Sequence, residues 1–247
     1  MALNTILNYS PNFNPKKRTS KKIKFIIYHY PGMKSESDAI NRLTEIQSEV
    51  SCHYLIKNNG EIVKMVPDLF IAWHAGKSSW KNYKSLNQNS IGIEITNPGH
   101  EYGYKKFTKK QISSLLKLSK FLIKKYKINS KNILGHSDIA ALRKKDPGEK
   151  FPWEYLSKNK IGIWHSLNKQ DFIKNRNLKI SKIEESIFLN NLFKIGYSKT
   201  YLKDKGKDRF IKELVKTFQR RFRQELVDGK IDQECVIISK NLIKAYN

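Results

Sequence analysis

Hydrophobic and polar positions follow two different periods in the first two thirds of the chain. Short apolar runs typical of strands occupy residues 23–30, 54–56, 61–66, 90–96 and 132–134. The sequence KNNG joins the second run to the third and predicts a hairpin. Apolar residues three and four positions apart predict helices over 37–50 and 109–126, the second with Thr108 and Gln111 as a candidate capping box. Because strands and helices alternate, we expect an α/β fold in which helices cover a central sheet.

The pattern changes after Trp164. Residues 167–182 carry little apolar periodicity and predict a linker or a wrapping segment. Three helical patterns then follow, at 184–193, 209–222 and 232–246. A turn at VDGKID precedes the last of them, with Asp232 as its candidate N-cap. We therefore predict an N-terminal extension at 1–20, an α/β catalytic domain at 21–166, the linker, and a small all-α domain of three helices at 183–247.

Composition adds a strong positive charge. The chain has 247 residues, of which 39% are apolar, so it can bury a sizeable core. Lys and Arg total 48 against 22 acidic residues, a net charge of +26 that attracts polyanions such as nucleic acid or an anionic cell wall. Much of the excess is lysine among asparagine and isoleucine, which equally fits a biased genome composition. No base-reading helix or RNP-type motif is present, so we expect no specific nucleic-acid partner.

Two cysteines, Cys52 and Cys235, lie far apart without a C-x-x-C spacing, so neither a disulfide framework nor a thiolate zinc site is indicated. No stretch approaches the roughly 20 apolar residues of a membrane span. The first residues lack the apolar core of a signal peptide. We therefore expect a soluble chain, either cytoplasmic or exported with a leader that has been removed.

Two histidines at strand ends are candidate metal ligands. His29 ends the first apolar run and His136 follows the last, and such positions often carry functional side chains. With Asp146, ten residues after His136, they offer the nitrogen and carboxylate donors that zinc binds, with a fourth position left for water. The alternative is three unrelated polar residues at loop ends.

Five motifs, in order between about residues 24 and 164, carry a family resemblance: HYLIKNNGEIVKMVPD, AWHAGKSSW, NSIGIEITNPG, LGHSDIAALRKKDPGEKFPW and IGIW. They resemble the N-acetylmuramoyl-L-alanine amidase family of zinc enzymes, which includes the peptidoglycan recognition proteins. The resemblance implies a mixed central sheet and one Zn²⁺ per chain on His29, His136 and Asp146. It also implies hydrolysis of the amide bond between N-acetylmuramic acid, or its 1,6-anhydro form, and the L-alanine of the stem peptide.

The resemblance also implies two catalytic residues, Glu94 and Lys144. Glu94 lies in the apolar strand SIGIEIT, where its neighbours point to the opposite face. The family uses this glutamate as the general base, and the structural alternative is a buried salt bridge. Lys144 belongs to the K-x-D pattern that ends at Asp146, and it would stabilise the oxyanion of the tetrahedral intermediate. Lys145, one residue further, would then project away.

The motif AWHAGKSSW supplies the candidate substrate-binding residues Trp73, His74 and Trp80. His74 either hydrogen-bonds the muropeptide or supports the site from within the protein. Trp80 either stacks on the substrate or packs in the core. For His53 we expect a structural hydrogen bond.

The C-terminal helices resemble a second family, the three-helix peptidoglycan-binding module, whose pattern is A-F-Q-x-x-F followed by D-G-x-x-D. Thr217 replaces the alanine, whereas Phe218 and Phe222 match and are expected to pack in the helical core. An amidase followed by this module most resembles the AmiD subfamily. Such an anchor favours action on the wall polymer, and hence the periplasm or cell envelope, by raising effective concentration there.

These features predict a monomeric enzyme whose partner is peptidoglycan or muropeptides. Removal of the C-terminal helices is expected to leave the turnover of small muropeptides nearly unchanged. The alternative is a peptidoglycan-binding protein that does not cut, but the complete ligand set and Glu94 favour an enzyme.

Overall fold

The structure is a computed structural model that describes residues 3–199 and 206–246. Strands of that part of the chain are β1 Ile6–Leu7, β2 Phe13–Asn14, β3 Phe25–His29, β4 Tyr54–Ile56, β5 Ile62–Lys64, β6 Ile71–Ala72, β7 Ser79–Trp80, β8 Tyr83–Lys84, β9 Ser90–Ile95 and β10 Ile133–Gly135. Its α-helices are α1 Glu36–Thr44, α2 Lys109–Tyr126, α3 His136–Ile139, α4 Trp153–Lys158, α5 Lys169–Ile173, α6 Lys182–Ile195, α7 Lys207–Phe222 and α8 Gln233–Tyr246.

Six strands form one central sheet in the order β1, β5, β4, β9, β3, β10. All neighbouring pairs are parallel except β4 with β5, which the predicted hairpin joins. Gly60 in the hairpin has a φ of +87°, a conformation that glycine adopts without strain. The predicted α/β fold with a mixed central sheet is therefore confirmed.

Both faces of the sheet are covered, which explains why its strands are nearly all apolar. In β3, Ile26 and Tyr28 point to the face that α2 covers. Phe25 and Ile27 alternate with them and point to the opposite face, where they pack with side chains of the C-terminal helices. Each side chain in β3 is thus buried, on one side of the sheet or the other.

The predicted helix at 109–126 is confirmed together with its capping box. Thr108 Oγ1 accepts a hydrogen bond from the Gln111 backbone at 3.1 Å, and Gln111 Oε1 accepts one from the Thr108 backbone at 2.9 Å. The helix predicted at 37–50 is shorter and ends at Thr44. A short 3₁₀ turn follows it, and Glu49 then takes a left-handed φ of 50° that the α-helix excludes.

Two segments predicted to lie outside the domains make contacts within the fold. Near the N-terminus, β1 pairs with β5 at the edge of the central sheet. Arg18 is buried, and its Nη2 donates to the Asp68 carbonyl at 2.9 Å. In the predicted linker, α5 buries Phe172. The domain boundaries stay a prediction, but the extension and the linker both contribute to the packed structure.

The three C-terminal helices do not pack by themselves. Phe218 and Phe222 are buried, as predicted, and the cluster they join also contains Phe25, Ile27 and Leu134 from the central sheet. The expected N-cap is present, since Asp232 Oδ1 accepts from the Cys235 backbone at 3.0 Å. The sheet and these helices therefore share one hydrophobic core. Within the described residues, no helix is long and apolar enough to cross a membrane.

Candidate active site

The candidate ligands meet at the edge where the parallel strands end. His29 is the last residue of β3, and His136 is the first residue of α3, directly after β10. Glu94 in β9 lies opposite His29 in the register of the two strands. The loop that carries Asp146 is tied to α3, because the Asp146 carbonyl accepts from the Ser137 backbone at 2.9 Å. The fold thus collects four polar side chains of distant sequence positions at one place.

Three of these side chains form a compact ligand set. His29 Nδ1 and His136 Nδ1 lie 3.0 Å apart, and each lies 3.1 Å from Asp146 Oδ2. All three residues are buried. Donor atoms about 2.0–2.1 Å from a tetrahedral zinc ion are roughly 3.3 Å from one another, so this spacing suits one small cation. The alternative of three unrelated polar residues is therefore wrong.

A chain of hydrogen bonds assigns the proton of His29. The Ser90 hydroxyl donates to the Leu86 carbonyl at 2.6 Å, so it accepts from His74 Nε2, 3.1 Å away. His74 Nδ1 is then an acceptor, and His29 Nε2 donates to it over 3.0 Å. The lone pair of His29 therefore lies on Nδ1, the nitrogen that faces His136 and Asp146.

The second histidine is oriented in the same way by a backbone carbonyl. His136 Nε2 donates to the Ala75 carbonyl at 3.1 Å, which leaves the lone pair of Nδ1 directed into the ligand set. Arg143 donates from Nη2 to the same carbonyl at 2.9 Å and to the Lys77 carbonyl at 3.1 Å. Arg143 thereby holds the loop that fixes His136.

Burial and mutual contact control the charges of the ligand set. Burial, with repulsion from His136, lowers the pKa of His29 to about 4, so this imidazole is neutral at pH 7. Burial alone would raise the pKa of Asp146, but its contacts with His136 and His29 outweigh burial and bring the pKa far below its usual range. His29 and Asp146 thus present a neutral nitrogen and an ionised oxygen, the protonation states that bind a metal.

Glu94 is the carboxyl group that the site leaves free. Burial, and secondarily the charge of Asp146, raise the pKa of Glu94 well above its ordinary value, while Lys144 acts in the opposite direction. Its Oε2 is buried without a hydrogen-bond partner, and within residues 3–199 and 206–246 it makes no salt bridge. The alternative of a structural ion pair is therefore wrong for the described part of the chain.

The two lysines after Arg143 differ in their surroundings. Lys144 is half-buried and lines a cavity of about 420 Å³ together with Trp73, His74 and His136. The positive charge of Lys144 acts on the site electrostatically, since it lowers the pKa values of both His29 and Glu94. Lys145 is exposed. This placement supports Lys144 as the cation beside the reacting atoms.

The structure separates the three candidate substrate-binding residues. Trp73 lines the cavity, as that prediction requires. His74 also borders it, yet both of its ring nitrogens bond to His29 and Ser90, so it acts as support for a ligand. Trp80 does not line the site: its side chain is fully buried, and its ring lies 4.9 Å from that of Tyr197. The prediction of Trp80 as a substrate-binding residue is therefore wrong, because its ring packs in the shared core.

Further residues next to the candidate ligands have structural roles, one of which was predicted from the sequence. His53 makes the structural hydrogen bond that was predicted, accepting at Nδ1 from the Gly92 backbone at 3.0 Å. The absence of a side chain at Gly92 leaves space for His74, since a Cβ there would lie 2.4 Å from the His74 ring. A glycine in the middle of an apolar strand is a sequence signal for such a close approach. For Ser90 and Arg143 the sequence offered no comparable signal.

The site has the arrangement of a metal-dependent hydrolase. Two imidazoles and a carboxylate surround one cation position, and a free carboxyl group lies on the adjacent strand.

Comparison with known proteins identifies the family. The model of the N-acetylmuramoyl-L-alanine amidase family matches residues 19–149. The amidase AmiD of Escherichia coli is 33% identical over 237 residues, which cover 91% of this chain and 84% of AmiD.

A shorter relative and a solved structure agree with this match. The 1,6-anhydro-N-acetylmuramyl-L-alanine amidase AmpD of Haemophilus influenzae is 42% identical over 45% of this chain and 59% of AmpD. The structure of E. coli AmiD with anhydro-N-acetylmuramic acid-L-Ala-D-γ-Glu-L-Lys superposes with a TM-score of 0.78 at 32% identity, covering 94% of this chain and 93% of AmiD. This chain belongs to the N-acetylmuramoyl-L-alanine amidase family, and it is an enzyme of that activity.

Proposed function

We propose that this chain is a zinc hydrolase that cleaves the amide bond between N-acetylmuramic acid, or its 1,6-anhydro form, and the L-alanine of the stem peptide. One observation carries the proposal. His29 Nδ1, His136 Nδ1 and Asp146 Oδ2 lie 3.0–3.1 Å from one another, with the unpartnered Glu94 on the adjacent strand.

Zinc fits the donors better than Mg²⁺ or Ca²⁺ does. Two imidazole nitrogens and one carboxylate oxygen are typical of catalytic zinc, whereas Mg²⁺ and Ca²⁺ prefer oxygen ligands throughout. The bonds from His29 to His74 and from His136 to the Ala75 carbonyl are the supporting contacts that histidine ligands of zinc usually make. Bound zinc lowers the pKa of a coordinated water and polarises a carbonyl group.

The protein side chains supply the remaining chemistry. Glu94, with a raised pKa and a free oxygen, takes a proton from the attacking water and passes it to the leaving amine of L-alanine. Lys144 borders the same cavity and stabilises the negative charge that develops on the carbonyl oxygen. Exclusion of water around the buried ligands strengthens both effects.

The cavity beside the ligands is where the substrate would bind. It has a volume of about 420 Å³ and an aromatic wall at Trp73, with Arg143 and Lys144 as cations that suit the carboxylates of a stem peptide. The C-terminal helices would add a surface for the wall polymer. We further propose that the protein acts as a monomer at the cell envelope, in turnover or recycling of peptidoglycan.

Product analysis tests this function. Intact sacculi and an anhydro-muropeptide are incubated separately with the zinc-loaded protein, and the products are identified by mass spectrometry. We expect free stem peptides that begin with L-alanine from at least the muropeptide, and none with the Glu94→Gln variant. Binding to sacculi without any released peptide would instead identify a wall-binding protein that does not cut. Cell fractionation with antibody detection tests the proposed location, and recovery in the cytoplasmic fraction alone would contradict it.

A further inference from the structure

A buried ion pair connects the C-terminal helices to the segment that carries a metal ligand. Arg221 of α7 donates from Nη1 to Asp138 Oδ2 at 2.5 Å, and both side chains are almost completely buried. Asp138 lies two residues after His136, in the same turn of α3. The same carboxylate oxygen accepts from the Gly135 backbone, directly before His136, at 2.8 Å.

Two further contacts make the connection rigid. Tyr197, which follows α6, donates its hydroxyl proton to Asp138 Oδ1 at 2.8 Å. Arg221 Nη2 donates to the Ile133 carbonyl at 3.0 Å, at the start of the strand that leads to His136. The guanidinium group also lies over the ring of Trp153, 4.3 Å from its centre. Side chains from two C-terminal segments therefore fix both ends of the short stretch from residue 133 to residue 138.

This arrangement is unlike that of an anchor joined through a linker. A surface module would touch the catalytic part through exposed, exchangeable contacts. Here the buried Arg221 lies in the core of the catalytic part. The loss of Arg221 or of Asp138 would leave the other as an unpaired buried charge. The geometry of His136 thus depends on side chains more than 50 residues further along the chain.

We propose that Arg221 and Tyr197 are positioning residues for the metal ligand His136, acting through Asp138, so that the C-terminal helices complete the catalytic centre. The inference rests on the proposed function, because it takes His136 to be a zinc ligand. Neither residue touches the metal position. Each acts by holding the turn that presents His136 Nδ1 to His29 and Asp146.

The test uses three conservative variants of the full chain. Tyr197→Phe keeps the ring and removes only the hydrogen bond to Asp138. Arg221→Lys keeps the charge but replaces the two nitrogens that bond separately to Asp138 and to the Ile133 carbonyl with a single one. Arg223→Lys is the matched control, since Arg223 is equally buried and ion-paired, but with Asp232 and Asp228 among the C-terminal residues themselves.

Zinc affinity is measured by competition with a chromogenic chelator, on protein whose folding is verified by circular dichroism. We expect Arg221→Lys to weaken zinc binding about 10-fold, within the range for groups that orient metal ligands. The loss for Tyr197→Phe should be about threefold, and Arg223→Lys should match the wild type. With zinc in excess, kcat should fall in the first two variants while KM stays unchanged.

Each outcome decides the question. Wild-type zinc affinity and kcat in folded Arg221→Lys and Tyr197→Phe would overturn the proposal. An equal loss in Arg223→Lys would also overturn it, since the effect would then be one of general stability. If Arg221→Lys does not fold, the isosteric Tyr197→Phe decides alone. Failure of the wild type itself to bind zinc or release stem peptides would contradict the proposed function instead.

Discussion

Glu94 lies directly opposite His29 where β9 pairs with β3, so the free carboxyl group and the first proposed metal ligand extend from adjacent strands. Residues in register on neighbouring strands point to the same face. Glu94 therefore lies on the same face of the sheet as His29 and is not part of the ligand set. On this placement we base the proposal of proton transfer for Glu94 and of metal binding for His29.

Replacement of the glutamate should separate these two roles experimentally. Glu94→Gln keeps the shape of the side chain but removes its ability to accept a proton. We expect zinc content and substrate affinity to remain, and kcat to fall by about 10²- to 10⁴-fold, as for loss of a general acid-base group. Metal analysis and steady-state kinetics on a muropeptide check this. A variant that also loses its zinc would show that Glu94 is a ligand.

The two adjacent lysines should differ sharply. Lys144→Ala should lower kcat and kcat/KM together, by roughly 10²- to 10³-fold, because it removes the charge that we propose to stabilise the developing oxyanion. Lys145→Ala is the matched control and should retain nearly full activity, since Lys145 is exposed. Kinetics of the two variants side by side provide the measurement. The reverse ranking would place the wrong lysine at the site.

Removal of residues 183–247 should inactivate the enzyme even on small muropeptides, contrary to the expectation from the sequence. The deletion would expose Phe25, Ile27 and Leu134 and leave Asp138 without Arg221. Exposure of three such side chains costs about 5 kcal/mol or more, comparable with the total stability of many domains. Thermal unfolding and a soluble-substrate assay of residues 1–182 test this. A soluble, fully active fragment would show that the shared core is dispensable.

Stability of the metal-free protein should fall as the pH is lowered below neutral. Burial, with repulsion from Arg18, lowers the pKa of His53 to about 3, so the folded protein keeps this imidazole neutral where the unfolded chain protonates it. The stabilising contribution is complete above about pH 6.5 and is lost as the pH falls toward 3, at up to about 1.4 kcal/mol per pH unit. Urea unfolding at pH 7, 6 and 5 gives the slope. In His53→Gln the slope should be smaller, and an unchanged slope would rule out His53 as its source.

The features that could be predicted from the sequence are those that local patterns of residues indicate. Apolar periodicity located β3 and α2, and a resemblance of motifs pointed to His29, His136 and Asp146 before their geometry was known. The sequence did not predict the buried pair of Asp138 with Arg221, because an aspartate within one motif and an arginine 83 residues later show no shared period. Trp80 was misassigned for the same reason, since its neighbour Tyr197 is distant in sequence.

The most direct test of the proposed zinc centre is the metal content and activity of His136→Ala. The variant removes one of the three proposed ligands, and we expect bound zinc well below one per chain and no release of stem peptides. His165→Ala is the matched control, because His165 is also buried but packs beside Trp164 and Phe172, and it should keep both zinc and activity. Full zinc occupancy in His136→Ala, measured by atomic emission on folded protein, would contradict the assignment of the metal site.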